Sequence, residues 1–92
     1  MLLSLLRRAQ LPAPAVNAQL LGMEVDLLWP RERLVVEFDG FGYHSSRRSF
    51  ERDRLRDQRL VAAGYRVIRV TARQLDRTPE AVLARVAAAL AT

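Results

Sequence analysis

The chain contains neither cysteine nor lysine, and it has one histidine and one tryptophan in 92 residues. Without cysteine there are no disulfides and no thiolate metal sites, so zinc held by cysteine is excluded and the redox compartment is unconstrained. Cytoplasmic residence is then the default expectation. No apolar run approaches the ~20 residues that a bilayer-spanning helix requires, so no membrane partner is expected. The opening MLLSLLRRAQLPAPA is not a secretory signal, because its arginines follow the short leucine-rich run instead of preceding it. Internal repeats are missing, and the one compositional bias within the chain is alanine enrichment near its end.

What is present is a globular composition, half apolar and about a quarter charged. All 15 basic residues are arginine, and against 10 acidic residues they give a formal net charge of +5. A polyanionic partner follows naturally from that balance. The preference for arginine over lysine is equally what a biased genome composition produces.

The stretch from Met23 to His44, MEVDLLWPRERLVVEFDGFGYH, organises the rest. Val25, Leu27 and Trp29 alternate with Glu24, Asp26 and Leu28; Leu34, Val36 and Phe38 alternate with Val35, Glu37 and Asp39. Such period-two patterning marks half-buried strands, here joined by a turn at residues 30–33. A hairpin symmetric about that turn puts Val25 opposite Phe38, Leu27 opposite Val36 and Trp29 opposite Leu34, on one apolar face. The other face sets Leu28 against Val35, Asp26 against Glu37 and Glu24 against Asp39. Like charges facing each other destabilise a sheet, so a bound cation, a protonated carboxyl or neighbouring arginines must compensate. A β-bulge would shift this register.

Around the hairpin, Met1 to Ala9 suits a short helix with Arg7 and Arg8 at its C-terminal end, and Val16 to Leu20 a first strand. A long helix is expected from about Arg47 to Ala63, capped by Ser45 or Ser46 and stopped by Gly64. Phe50, Asp53, Asp57, Leu60 and Val61 share one of its faces. The two aspartates there either pair with Arg54, Arg56 or Arg69 or serve the site. Tyr65 to Thr71 reads as a strand, parallel to a hairpin strand because a helix separates them. Thr78 and Pro79 start a last helix with Val82, Leu83, Val86 and Leu90 facing the core. The fold class is therefore α/β, in the order α-β-β-β-α-β-α, with a small mixed four-stranded sheet flanked by helices.

Asp26 and Glu37, with Asp39 two residues further along, form an oxygen-rich cluster suited to Mg²⁺ or Mn²⁺; a solvated acidic sheet end is the alternative. His44 can shuttle a proton near neutral pH, ligate a metal or simply hydrogen-bond within the fold. Arg47 and Arg48 occupy the first turn of a helix, where the dipole disfavours them. A phosphate held with Ser45 and Ser46 would relieve this, and solvated surface arginines are the other reading.

The pattern VDLLWPRERLVVEFDGFGYHSSRRSFERDRLRD, then GYRVIRVT, resembles the PD-(D/E)XK restriction-endonuclease-like superfamily over roughly residues 14–90. More closely, it is similar to short bacterial domains related to the very-short-patch-repair (Vsr-like) endonucleases. The resemblance implies a single endonuclease-like domain over residues 1–92, and the abrupt start allows this to be the C-terminal part of a longer protein. It also implies Mg²⁺-dependent hydrolysis of DNA phosphodiester bonds. Asp26 and Glu37 match the metal-binding acids, joined by the backbone carbonyl of Phe38. Asp39 stands where lysine is usual, and His44 matches the histidine of the repair-like group. Water activation falls to the cation, His44 or Asp39. Ser45, Ser46, Arg47, Arg48, Arg52 and Arg69 are the expected DNA contacts, and cutting both strands makes a homodimer attractive. The missing lysine, and a first helix without an acidic residue, equally allow a catalytically weakened nucleic-acid-binding or regulatory module on the same fold.

Overall fold

A computed structural model describes residues 2–39 and 47–92, with side chains for 2–39 and 51–92. The chain runs α1 (Leu2–Arg8), β1 (Ala15–Leu20), β2 (Met23–Trp29), β3 (Leu34–Asp39), α2 (Arg47–Ala62), β4 (Arg66–Thr71), α3 (Ala72–Arg77) and α4 (Pro79–Ala91). The four strands form one sheet in the order β1-β2-β3-β4, antiparallel except for the parallel pair β3 and β4. Helix α2 is the crossover between those parallel strands, as the length of the intervening segment requires.

The element order departs from the sequence expectation by the short helix α3. Its start is a capping box: the Thr71 hydroxyl accepts from the Gln74 backbone N–H, and the Thr71 N–H donates to the Gln74 side chain. The strand therefore passes into a helix without a loop. Thr78 stands at the N-cap of α4 as expected, but makes no side-chain cap there. Its hydroxyl donates back to the Gln74 carbonyl, closing the end of α3 instead.

Two apolar layers hold the sheet. On one face Leu27, Trp29, Leu34, Val36 and Val70 pack against Leu2 and Leu6 of α1 and Val82 and Val86 of α4. On the other, Leu28 and Val35 pack against Leu60 of α2, with Tyr65 and Val67 beside them. Trp29 ties the first layer to the chain entering β1, because its indole N–H donates to the Pro12 carbonyl at 2.8 Å. On α2 the apolar stripe is narrower than the spacing implies. Val61 is 60% exposed, one residue beyond the buried Leu60.

The turns explain how the strands are registered. Leu20 pairs with Met23 across Leu21 and Gly22, both at positive φ (54° and 76°), the signature of a two-residue primed hairpin turn. Leucine is a poor occupant of left-handed backbone, which costs an L-residue about 1–2 kcal/mol, and this one is 44% exposed. Leu21→Asn therefore should raise stability by about 1 kcal/mol, read as a higher midpoint in thermal unfolding. The second hairpin closes through residues 30–33, with the Arg33 N–H donating to the Pro30 carbonyl. Helix α2 ends in a Schellman arrangement, the Tyr65 N–H donating to the Leu60 carbonyl and the Gly64 N–H to the Val61 carbonyl. Gly64 at φ 92° is required there. Arg33 then bridges turn and helix, donating to the Ala63 carbonyl and lying over the Tyr65 ring.

Candidate active site

Near its turn the hairpin has the register that the alternation predicts: Trp29 pairs with Leu34, Leu28 with Val35 and Leu27 with Val36. The ladder stops there, and the expected pairs beyond it, Asp26 with Glu37, Val25 with Phe38 and Glu24 with Asp39, are not formed as rungs. Side chains replace them. The Asp26 N–H donates to Glu37 Oε2 at 3.0 Å, and the Phe38 N–H donates to Asp26 Oδ2 at 2.7 Å. Each carboxylate thus satisfies a backbone donor of the opposite strand, and both lie in the seam between β2 and β3.

Strand β2 changes on its other side at the same residue. In β1, Val16 pairs with Leu27 and Ala18 with Val25, which leaves Asn17 opposite Asp26 without a regular pair. Asn17 is left-handed, at φ 51°, a conformation that asparagine tolerates better than most residues. The inward alternation slips by one residue here. Val25 does not join Leu27 and Trp29 on their face but packs with Leu28, Val35 and Leu60 on the α2 side. Phe38, expected in the apolar layer, is 41% exposed. Both departures have one cause: at Asp26 and Phe38 the backbone N–H groups donate to carboxylates instead of to the facing strand, so the strands need not keep a common pleat.

Glu37 is the one buried charged or polar residue among the described side chains, at 5% exposure. Burial pushes its carboxyl above the ordinary glutamate range. The Asp26 N–H and the Arg56 charge and hydrogen bond work against that shift, while the Asp26 charge adds to it. Arg56, on α2, is the electrostatic partner. Its Nη2 lies 2.6 Å from Glu37 Oε1 and also donates to the Glu24 carbonyl at 2.9 Å. One guanidinium therefore spans the seam from β2 to β3 where the ladder is broken.

Asp39 shares the α2 side of β3 with Glu37 but has different neighbours. Together with Asp53, Arg54, Asp57 and Arg69 it lines a small concavity next to the seam. Arg69 is anchored there by Asp57, donating from Nε at 3.1 Å and from Nη2 at 3.0 Å, with Asp53 4.0 Å away. Burial pulls the Arg69 guanidinium down, but the Asp57 bonds and the surrounding acidic charge outweigh it and hold the pKa above the usual arginine value. The expectation that the α2 aspartates pair with an arginine is met by Arg69, whose charge is already engaged within the fold.

Arg52 is exposed on α2. His44, Ser45 and Ser46 lie outside the described residues, as do the side chains of Arg47 and Arg48. Among the described residues, no group of three or more acidic or histidine side chains converges on one point. The pair Asp26 and Glu37 is what the fold brings together. Arg56 is the residue that sequence reasoning left without a role in the site. Its position was legible, since it falls three residues after Asp53 and four before the buried Leu60, on the helix face turned to the sheet.

Comparison with known proteins agrees with this architecture. No protein among the curated ones matches the chain. Among solved structures, the catalytic domain of the homing endonuclease I-Bth0305I has a similar fold, with a TM-score of 0.69 at 18% identity. The match covers 85% of this chain and 78% of that one. At that identity the likeness speaks for the fold, and it agrees with the α/β arrangement of a mixed four-stranded sheet between helices. A family model, REase_MTES_1575, matches residues 5–90. With nearly the whole chain matched, this protein belongs to the restriction-endonuclease-like family REase_MTES_1575.

Proposed function

We propose that the protein is a metal-dependent DNA endonuclease, with Asp26 and Glu37 as the acidic core of the active site. The observation that carries this reading is the broken ladder: two carboxylates, one buried, placed where strand rungs would otherwise run. Burying a glutamate is costly even with the Arg56 guanidinium as its counter-charge, and an arrangement of that cost calls for a use. The donor set suits Mg²⁺ or Mn²⁺, since Mg²⁺ is commonly held by one or two carboxylates with waters and substrate phosphate completing its shell.

Asp26 and Glu37 would hold the ion. The backbone carbonyl of Phe38, whose N–H donates to Asp26, would add a third oxygen. When bound, the ion supplies charge stabilisation at the phosphoryl oxygens and lowers the pKa of water. The chain's own contributions are to fix the two carboxylates through the Asp26 and Phe38 amides and to supply a proton acceptor, the role we assign to His44 with Asp39 as the alternative. Ser45, Ser46, Arg47, Arg48 and Arg52 would bind the DNA backbone near the N-terminal end of α2. Arg69 would add to them only by leaving Asp57. The kinship with very-short-patch-repair endonucleases and a homodimer for double-strand cutting belong to the same proposal.

The test is plasmid nicking in Mg²⁺ or Mn²⁺ by the purified protein and by variants of Asp26 and Glu37. Equal nicking by wild type and variants would remove the assignment. One observation favours a second reading, a module that binds nucleic acid without cutting it: both Glu37 oxygens already have protein donors. That reading expects salt-sensitive DNA binding with no metal-dependent cleavage.

A further inference from the structure

We infer that Arg56 is a built-in counter-cation of the site, occupying the side of Glu37 that a divalent cation takes, so that the Arg56–Glu37 pair and cation binding exclude one another. The inference rests on the metal-dependent reading above and assigns the state that precedes cation binding. Glu37 Oε2 accepts the Asp26 N–H, a bond that also fixes β2 against β3. Oε1 is the oxygen with no strand amide on it, and there the Arg56 Nη2 sits 2.6 Å away, so a cation on this carboxylate shares it with the guanidinium. A guanidinium and a divalent ion sharing one carboxylate oxygen would stand only a few ångströms apart in a partly buried seam, where repulsion between like charges is weakly screened.

The geometry also provides for release. Arg56 projects from α2, its side chain is 31% exposed, and its second acceptor is the Glu24 carbonyl in an exposed contact. Giving up Glu37 therefore returns the guanidinium to solvent at the edge of the seam and strands no buried charge, because the incoming ion takes over the neutralisation of Glu37. With Arg56 in place, the buried carboxylate stays compensated and the broken ladder stays stapled across Glu24 and Glu37. Arg56 is thus a positioning residue that sets how readily the site accepts a cation.

Two measurements on the intact chain test this. The guanidinium resonances of Arg56, slowed by its hydrogen bonds, are followed by NMR during titration of the wild type with Mg²⁺. Mn²⁺ binding to wild type, Arg56→Gln and Arg56→Lys is measured by calorimetry. Arg56 should lose its slowed resonances as Mg²⁺ saturates. Arg56→Gln should bind Mn²⁺ about tenfold more tightly, the size of effect typical of groups that contact a metal ligand. Arg56→Lys should fall between the two. Resonances that persist at saturation, or Mn²⁺ binding by a folded Arg56→Gln that is unchanged or weaker, would overturn the inference. The wild-type NMR titration decides even if Arg56→Gln does not fold. A wild type that binds neither ion overturns the metal-dependent reading itself, a result distinct from binding with Arg56 still in place.

Discussion

Replacing Glu37 with glutamine should lower Mg²⁺-dependent nicking by about 10³-fold or more while leaving the domain folded. Charge stabilisation by a bound metal is worth several kcal/mol, and about 1.36 kcal/mol is a factor of ten in rate. Glutamine keeps the shape of the side chain, and its amide oxygen can still accept the Asp26 N–H that Glu37 Oε2 accepts now. What it loses is the negative charge. Arg56 then lacks an ionic partner but remains partly exposed, so it is not stranded in the interior. Replacement by alanine is less clean, because the Asp26 amide would lose its acceptor at a cost of about 1–3 kcal/mol. A folding control by circular dichroism accompanies the plasmid assay, and a fully active Glu37→Gln would exclude this residue from the chemistry.

The largest loss of stability is expected from Trp29→Ala. Trp29 is 1% exposed and sits among Leu27, Leu34 and Val36 beneath α1 and α4. Truncating a buried aromatic costs about 3–5 kcal/mol in transfer and cavity energy, and loss of the indole bond to the Pro12 carbonyl adds about 1 kcal/mol. Against a total of about 5–15 kcal/mol for an ordinary domain, that removes much of the margin. Trp29→Phe helps to separate the two terms, since it keeps most of the buried aromatic surface and forfeits the hydrogen bond with a smaller part of the packing. Urea unfolding should show a large drop in midpoint for alanine and a small one for phenylalanine. A large and equal drop for both would mean that the tie to the segment before β1 matters more than the packing.

The contrast between these residues shows what the sequence could reveal. The hairpin, its turn at 30–33 and the pairing from Trp29 to Leu27 were legible because period-two alternation fixes register wherever a face is buried. The slip at Asp26 was not, because it depends on carboxylates capturing backbone amides, and no pattern of apolar residues encodes that. Val25 and Phe38 were misplaced for this one reason. Helix α3 carries a readable capping box in Thr71 and Gln74, but the β-branched run that ends at Thr71 has the stronger signature, that of a strand. Arg56 was visible as one arginine among several on α2. Only the approach of that helix to the seam singled it out. Asp26 and Glu37 stand out in the sequence by their types and spacing, and the structure adds that the Glu37 carboxylate accepts the Asp26 N–H while the Asp26 carboxylate accepts the Phe38 N–H.

Whether these two carboxylates hold a divalent ion in the seam between β2 and β3 is decided by a crystal structure of the protein grown with Mn²⁺, using the anomalous signal of the metal. The expected result is an anomalous peak about 2.1 Å from carboxylate oxygens of both Asp26 and Glu37, with the Arg56 guanidinium withdrawn from Glu37. A map with no peak in the seam, or with Mn²⁺ elsewhere and the Arg56–Glu37 pair intact, would contradict it.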